Sequence, residues 1–304
     1  MRRKLGQHFL KDKNALAKIA EALSLESGDT VIEIGAGHGE LTWLLARQCQ
    51  ELGCRVIAIE RDEKLAEALG VRLKVLGFRK TLEIIKGDIL KILSPTTYNL
   101  KPKTYKVAGN IPYYITGHLL RIISELENKP QICVLTIQKE VALRITAEPP
   151  RMNRLAAAVQ FWAEPEILEF LPAKLFSPAP EVESAVIKLK NSAEGGSAFG
   201  GKNEKSKIKE GEFYRMVRIL FQQPRKTILN NLANSIYDGN IVDKQLKRDR
   251  DTKHKGKAVD IHLRYIKLSK RDIEEKLNRA GLQPNLRPQN LSVEDIISLV
   301  KFEL

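Results

Sequence analysis

The chain has 304 residues, a formal net charge of +14 and an apolar fraction of 43%. This length allows one large domain, or one large and one small domain, with an ordinary hydrophobic core. No run approaches the roughly 18 apolar residues of a membrane span. The basic start, Met1–Leu10, also lacks the apolar stretch of a secretory signal. We therefore expect a cytoplasmic protein.

The positive charge favours a polyanionic partner, with nucleic acid ahead of a membrane surface. Solubility alone would also explain such an excess, so the charge is a modest argument. Three cysteines, Cys49, Cys54 and Cys133, show no metal-ligand or disulfide pattern. We expect reduced thiols and no metal site.

Residues 30–190 alternate between short β-branched runs and segments of helical periodicity. The segments predicted as strands are Thr30–Ile34, Arg55–Glu60, Leu82–Lys86, Tyr105–Gly109 and Gln131–Ile137, and helices are predicted at Glu40–Leu52 and Glu63–Leu76. Repeated units of this kind predict an α/β fold with a parallel, doubly wound sheet.

Composition changes after Lys190, which predicts a first domain at residues 1–190. Residues 191–211 are rich in glycine, serine and lysine and read as a flexible linker or loop. Residues 212–304 predict a helical C-terminal domain. Within it, Lys244–Lys257 holds seven basic residues and two aspartates. This basic insertion, around 238–260, is either an RNA-facing arm or a solvated, disordered segment, and disorder in the free protein is favoured.

A glycine loop follows the first strand of the doubly wound region, in the order Glu33-Ile34-Gly35-Ala36-Gly37-His38-Gly39. Glycines there let backbone amides approach a ligand closely. A dinucleotide-binding loop would have its third glycine where Glu40 stands. The carboxylate of Glu33 suits a cationic amino group, which fits the methionine part of S-adenosylmethionine better than a pyrophosphate.

Two further acidic residues end neighbouring strands. Glu60 comes 21 residues after Gly39, where a carboxylate can accept both hydroxyls of a ribose. Asp88 follows Gly87 after the third strand and is positioned to bind an adenine amine. A Gly-Asp pair alone is often just a turn, but the glycine loop, Glu60 and Asp88 in this order favour a nucleoside cofactor.

The fourth strand runs into Asn110-Ile111-Pro112-Tyr113. The Asn110 side-chain oxygen and a main-chain carbonyl next to Pro112 can hold both hydrogens of an adenine amine. That arrangement favours a pyramidal nitrogen whose lone pair faces a methyl donor. Pro112 stiffens the backbone, and Tyr113 can stack on a flipped-out base. A plain Asn-x-Pro turn with both tyrosines in the core explains the tetrapeptide alone equally well.

These motifs resemble the rRNA adenine N6,N6-dimethyltransferases of the KsgA type, and the resemblance spans almost the whole chain. The matching segments are Leu5–Leu10, Glu33–Gly37, Gly87–Asp88, Asn110–Thr116, Gln138–Val141, Phe176–Val186, Arg225–Leu232 and Arg287–Ser292.

The resemblance implies a Rossmann-like S-adenosylmethionine-dependent methyltransferase domain with a small α-helical C-terminal domain. It implies dimethylation of two adjacent adenosines in a hairpin near the 3′ end of small-subunit (16S) rRNA, on the immature small subunit, and we expect a monomer. The cofactor contacts it implies are His8, Leu10, Gly35, Glu60, Asp88 and Asn110, to which the glycine loop adds Glu33 and Gly37. In the C-terminal domain, Arg225 and Lys226 are the expected RNA contacts.

A sister family, the Erm-type methyltransferases of large-subunit rRNA, shares the start and the Asn-Ile-Pro-Tyr clamp. The C-terminal motifs favour the small-subunit enzymes, and a binding protein with a vestigial cofactor site is a third alternative.

Two segments depart from the family pattern. Pro149–Arg154 replaces a Tyr-Gly pair in a loop that the resemblance puts beside the target site, and Tyr237–Lys276 is longer than expected. The first departure leaves the number of methyl groups per adenine open.

Overall fold

The computed structural model describes residues 7–75, 77–78, 80–93, 104–192, 208–237 and 269–301. Most of the predicted linker and the whole of the predicted basic insertion, including Lys244–Lys257, lie outside these residues. The chain divides into two units. One contains residues 1–146 and 158–197, and the other contains residues 147–157 and 198–304. The predicted boundary at residue 190 stays a prediction, but the segment around Pro149–Arg154 groups with the second unit.

The first unit is built on a twisted sheet with helices between its strands. In chain order its elements are β1 (Phe9–Leu10), α1 (Lys13–Ala22), β2 (Thr30–Ile34), α2 (Glu40–Leu52), β3 (Arg55–Glu60), α3 (Glu63–Val75), β4 (Leu82–Lys86), α4 (Ile89–Ile92), β5 (Lys106–Asn110), a 3₁₀ turn (Tyr113–Ile115), α5 (Thr116–Glu125), β6 (Ile132–Gln138), α6 (Lys139–Ile145), α7 (Arg154–Gln160, which begins in the second unit), β7 (Ala163–Leu171), a 3₁₀ turn (Ala173–Leu175), β8 (Phe176–Ser177) and β9 (Ser184–Asn191).

The main sheet has the strand order β4-β3-β2-β5-β6-β9-β7. Strands β4 to β6 are parallel, and β9 and β7 are antiparallel additions at one edge. The α/β class and the parallel arrangement of the five predicted strands are confirmed, and the antiparallel edge adds two strands that were not predicted. The strand order reverses between β2 and β5, and ligands of such sheets bind outside the carboxyl ends at that switch point.

The central strands are apolar because both of their faces are covered, as parallel sheets require. All five residues of β2 are buried, and so are five of the six in β3. Helices α1 and α2 pack over this region through Leu16, Ile19 and Leu45. The described helices include none with the length and apolar character needed to cross a membrane.

Cys49 and Cys54 form a disulfide between the last turn of α2 and the start of β3. The expectation of reduced thiols is therefore wrong for this pair. The left-handed backbone of Gly53 ends α2 and turns the chain back, so that the two Cα atoms lie 4.4 Å apart. Cys133 is a free, buried thiol.

The second unit is helical. Its described elements are α8 (Glu210–Leu220), α9 (Ile228–Tyr237), α10 (Lys270–Arg279), a 3₁₀ turn (Pro288–Asn290) and α11 (Val293–Lys301). Phe213, Leu220, Ile273 and Leu299 are among its fully buried side chains. The segment 147–157 joins it through a hydrogen bond from the Met152 main-chain nitrogen to the Gln289 oxygen.

Candidate active site

A cleft that is open to solvent lies at the carboxyl ends of β2 to β5. Because these strands are parallel, the turns that follow them meet at one edge of the sheet. The sequence-predicted residues that line the cleft are His8, Gly35, Gly37, Glu60, Asp88, Asn110, Ile111, Pro112 and Tyr113. An adjoining pocket, also open to solvent, is lined by the two other predicted cofactor residues, Leu10 and Glu33.

The glycine loop turns sharply between β2 and α2. Gly37 has a φ of +56°, and a Cβ there would lie 2.9 Å from the ring of Phe9. Gly39 has a φ of +88°, and a Cβ there would collide with Leu69. Both positions therefore exclude larger residues, for reasons of backbone conformation and of space. The loop keeps its main chain at the wall of the cleft.

Glu60, the last residue of β3, is hydrogen-bonded to the glycine loop. The residue is buried, with 3% of its surface exposed. Its carboxylate accepts hydrogen bonds from the main-chain nitrogens of Gly37, at 2.8 Å, and Asp62, at 2.7 Å. Each carboxylate oxygen has two lone pairs, so both oxygens keep capacity to accept a hydroxyl. The side chain is thus fixed in place and still suited to a ribose.

Asp88 begins α4 as its N-cap. One carboxylate oxygen accepts a hydrogen bond from the Leu90 main-chain nitrogen at 3.1 Å, which fixes the side chain at the cleft wall. The other oxygen lies 4.0 Å from Arg61 Nε. This oxygen is the group that could accept a hydrogen bond from an exocyclic amine.

Glu33 is the unusual carboxyl group of the site. It is 1% exposed, and its Oε2 has no hydrogen-bond partner. Burial raises its pKa to about 8; the Thr42 hydroxyl opposes the rise, while the carboxylates of Glu60 and Glu40 add to it. A buried acceptor without a partner is costly, and a cationic amino group in the adjoining pocket would satisfy it. The methionine end of S-adenosylmethionine fits this requirement.

Asn110 ends β5, and its amide is held in one orientation. Its Nδ2 donates a hydrogen bond to the main-chain oxygen of His8 at 2.6 Å. A carbonyl oxygen only accepts, so this bond assigns the nitrogen to the His8 side and turns Oδ1 away from it. The carbonyl of Pro112 already accepts a hydrogen bond from Ile115, which favours the carbonyl of Ile111 as the second acceptor for an amine.

The Tyr113 side chain is held by one contact of its hydroxyl and one of its ring. Its hydroxyl lies 2.7 Å from Oγ of the fully buried Ser184 at the start of β9. Its ring is stacked with that of His8, with the ring centroids 5.9 Å apart and an interplanar angle of 24°. Ser184 was not among the predicted site residues, although it stands inside the matched segment Phe176–Val186; its contact with Tyr113 joins residues 71 positions apart.

The N-terminal strand β1 pairs with β8 and covers the glycine loop. The His8 imidazole contacts the Pro178 main-chain oxygen through Nδ1 at 2.8 Å. The Phe9 and His38 rings form a T-shaped pair with their centroids 4.3 Å apart. Leu10 is buried in the core. Phe9 was not among the predicted residues, although it stands inside the matched segment Leu5–Leu10.

Arg225 and Lys226, the predicted RNA contacts, lie in the second unit on an exposed turn before α9. Asn231 organises this turn. Its buried amide donates to the main-chain oxygens of Gln223 and Thr227, at 3.1 Å each, and accepts from the Gln223 nitrogen at 3.2 Å. Both cations are therefore carried on a defined backbone.

The fold is shared with solved methyltransferase structures. A crystal structure of a dimethyladenosine transferase from Plasmodium falciparum superposes with a TM-score of 0.73 at 23% identity, over 97% of this chain and 98% of that one. The crystal structure of the 23S rRNA methyltransferase ErmE gives 0.65 at 24% identity, with the same coverage.

The chain belongs to the ribosomal RNA adenine dimethylase family, whose sequence model matches residues 1–271. Its relatives include proteins named ribosomal RNA small subunit methyltransferase A. The one from Dehalococcoides mccartyi (strain 195) is 35% identical over 97% of this chain and 85% of the relative. The one from Pelotomaculum thermopropionicum is 38% identical over 98% and 90%. The chain is accordingly an rRNA adenine dimethyltransferase by family.

Proposed function

We propose that this enzyme transfers methyl groups from S-adenosylmethionine to the N6 amines of two adjacent adenosines, in a hairpin near the 3′ end of small-subunit (16S) rRNA. The proposed partner is the immature small subunit, met by a monomeric enzyme in the cytoplasm. The observation that carries the proposal is the fixed Asn110 amide in the same cleft as Glu60 and Asp88.

On the cofactor side, each polar part of S-adenosylmethionine has a matching group. Glu60 would accept the ribose hydroxyls, Asp88 would accept from the adenine amine, and Glu33 would meet the methionine amino group. Gly35 and Gly37 would bring main chain close to the ligand. When bound, S-adenosylmethionine supplies a methyl group on a positively charged sulfur.

On the target side, the protein's task is positioning. Asn110 Oδ1 and the Ile111 carbonyl would each accept one hydrogen of the adenine amine and so direct its lone pair. Tyr113 would stack on the base, an interaction of about 1–3 kcal/mol. A general base is not needed, because the methylated ammonium is acidic enough to lose its proton to water. Correct positioning of this kind is a large part of catalysis.

The substrate choice is supported by the relatives named for the small subunit and by the net charge of +14, which suits a phosphate backbone. The test is incubation with radiolabelled S-adenosylmethionine and either unmethylated small subunits or large-subunit rRNA. We expect label in the small-subunit RNA, recovered as N6,N6-dimethyladenosine by mass spectrometry of the nucleosides.

Each other outcome has a definite meaning. Label confined to large-subunit RNA would assign the enzyme to the Erm type. Binding of RNA without any methyl transfer would favour a non-catalytic assembly protein. Recovery of N6-monomethyladenosine alone would limit the enzyme to one methyl group per adenine.

A further inference from the structure

The two neighbouring tyrosines of the clamp point in different directions. They share the 3₁₀ turn Tyr113–Ile115, in which consecutive side chains are about 120° apart because each turn takes three residues. Tyr113 is bonded to Ser184, and Ile115 is buried in the core. Tyr114 is 61% exposed, although it also lines the cleft. The turn thus holds one aromatic ring in place and presents a second ring at the mouth of the cleft.

Arg61 lies beside this second ring. It follows β3 directly, lines the same cleft, and has a side chain that is 55% exposed. One of its terminal nitrogens lies 3.5 Å from the Tyr114 hydroxyl, and its Nε lies 4.0 Å from Asp88. Both contacts are at the outer limit of their range, so the five N–H donors of the guanidinium retain capacity for another acceptor.

We propose that Tyr114 and Arg61 form a subsite for the RNA nucleotide adjacent to the adenosine being methylated. The base of that nucleotide stacks on the Tyr114 ring, and its phosphate is bound by the Arg61 guanidinium. The proposal rests on the proposed function, since it assumes a single-stranded RNA substrate at the clamp. Neither residue is among the predicted site residues.

The chemistry of the pair suits this occupant. An exposed aromatic ring beside a cation is the combination that binds single-stranded nucleic acid, because every base offers a π-face and every nucleotide carries a phosphate. Arginine recognises phosphate through paired N–H donors. A target base held between Asn110 and Tyr113 leaves its neighbour at the mouth of the cleft, where Tyr114 is exposed.

The direct test uses an RNA hairpin in which 2-aminopurine replaces the nucleotide next to the target adenosine. The hairpin is added to the full chain in the presence of S-adenosylhomocysteine, and the fluorescence is recorded. We expect quenching by the wild-type protein and by Tyr114→Phe, which keeps the ring. Quenching should be lost in Tyr114→Ala and in Tyr114→Leu, which keeps an apolar side chain without an aromatic face. Undiminished quenching in both would overturn the role of Tyr114.

Steady-state kinetics give a second measurement. Tyr114→Ala should raise KM for the RNA about 10-fold, the size of one lost stacking contact. Arg61→Gln should raise KM several-fold and lower the slope of log affinity against log salt by about 0.7, the value for one phosphate of a single strand. Val71→Ala on α3, where Val71 is 67% exposed, is the matched control and should change neither quantity.

Calorimetry separates the subsite from the cofactor site. Both variants should bind S-adenosylhomocysteine within about twofold of the wild type. If Arg61→Gln weakens cofactor binding and leaves the RNA KM unchanged, Arg61 belongs to the cofactor site and the proposal is wrong for it. Absence of methyl transfer by the wild-type protein would count against the proposed function. If the wild-type protein transfers methyl groups and the Tyr114 variants match it in quenching and in KM for the RNA, only the proposed subsite is wrong.

Discussion

The Asn110 side chain donates a hydrogen bond to the main-chain oxygen of His8, 2.6 Å away. This bond distinguishes asparagine from aspartate at the position. An aspartate would put a carboxylate oxygen against a carbonyl oxygen, and two acceptors repel each other. The clamp in this protein therefore depends on an amide, and on the N-terminal strand that supplies the carbonyl.

Replacing Asn110 should affect the methylation rate more than cofactor binding. We expect Asn110→Ala and Asn110→Asp to lower kcat on the order of 100-fold, since the amine loses its orienting acceptor or meets a misdirected one. The dissociation constant for S-adenosylmethionine should change by less than the rate. Single-turnover methyl transfer and calorimetry measure the two quantities. Turnover of Asn110→Ala within twofold of the wild type would show that the role of Asn110 is wrong.

Removing the Glu60 carboxylate should weaken cofactor binding. Glu60→Ala deletes the proposed acceptor for the ribose and leaves the Gly37 main-chain nitrogen without its partner. We expect the dissociation constant for S-adenosylmethionine to rise at least about 10-fold, as for loss of a hydrogen bond to a charged group. Glu63→Ala, an exposed carboxylate on α3, is the control for the change in charge. Unaltered affinity in Glu60→Ala would remove Glu60 from the site.

Glu33 should make the stability of the cofactor-free protein depend on pH. Its pKa is about 8 in the folded protein, above the ordinary 4.5, so the folded state holds an extra proton between these values. Stability from this group is fully present below pH 4.5 and is lost as pH rises towards 8. Glu33→Gln cannot ionise. We therefore expect the Tm of the variant, measured at intervals of about one pH unit, to rise relative to that of the wild type from pH 5 to pH 8. A Tm difference that stays constant over this range would contradict the raised pKa of Glu33.

The same carboxyl group should couple cofactor binding to proton release. A cationic amino group beside Glu33 favours its ionised form, and near pH 7 the free protein holds most of this group protonated. Binding of S-adenosylmethionine should then release a proton, and affinity should increase as pH rises from about 6 to 8. Calorimetry in phosphate and in Tris, whose ionisation heats differ, measures the release. Equal binding heats in the two buffers would exclude it.

The Lys106–Asp29 ion pair at the opposite end of the sheet should matter for stability. Lys106 Nζ lies 2.7 Å from Asp29 Oδ2 and 2.6 Å from the Ser24 main-chain oxygen, with side-chain exposures of 7% and 11% for the pair. Asp29→Ala would leave a buried ammonium without its counter-charge, which costs about 3–5 kcal/mol. Glu51→Ala breaks the exposed Arg47–Glu51 pair and should cost less than about 1 kcal/mol. Urea unfolding measures both, and equal losses would contradict the role of burial.

Two glycines near the clamp should respond oppositely to alanine. A Cβ at Gly109 would lie 2.5 Å from the Ile34 main-chain oxygen, whereas one at Gly117 in α5 meets nothing within 4 Å. Gly109→Ala should lose about 1–3 kcal/mol by overpacking, and it should slow methylation because Asn110 is the next residue. Gly117→Ala should be neutral or gain up to about 1 kcal/mol. Thermal melts and activity assays of both variants test the contrast.

The sequence by itself determined the parallel part of the fold and most of the candidate site. Apolar runs of strand length, alternating with helical periodicity, predicted β2 to β6 to within a residue or two. Parallel strands bring their carboxyl ends to one edge. For that reason Gly35, Glu60, Asp88 and Asn110, each at or just after a strand end, could be expected to meet without knowledge of the tertiary structure.

Only the tertiary structure decided what depends on residues far apart in the chain. The antiparallel strands β9 and β7 extend the sheet through pairing, which local periodicity does not specify. The direction of the Asn110 amide is determined by a carbonyl 102 positions away, and the anchoring of Tyr113 by a hydroxyl 71 positions away. The short turn that buries one face of the clamp and exposes Tyr114 has no periodic signal, because its geometry arises from the packing around it.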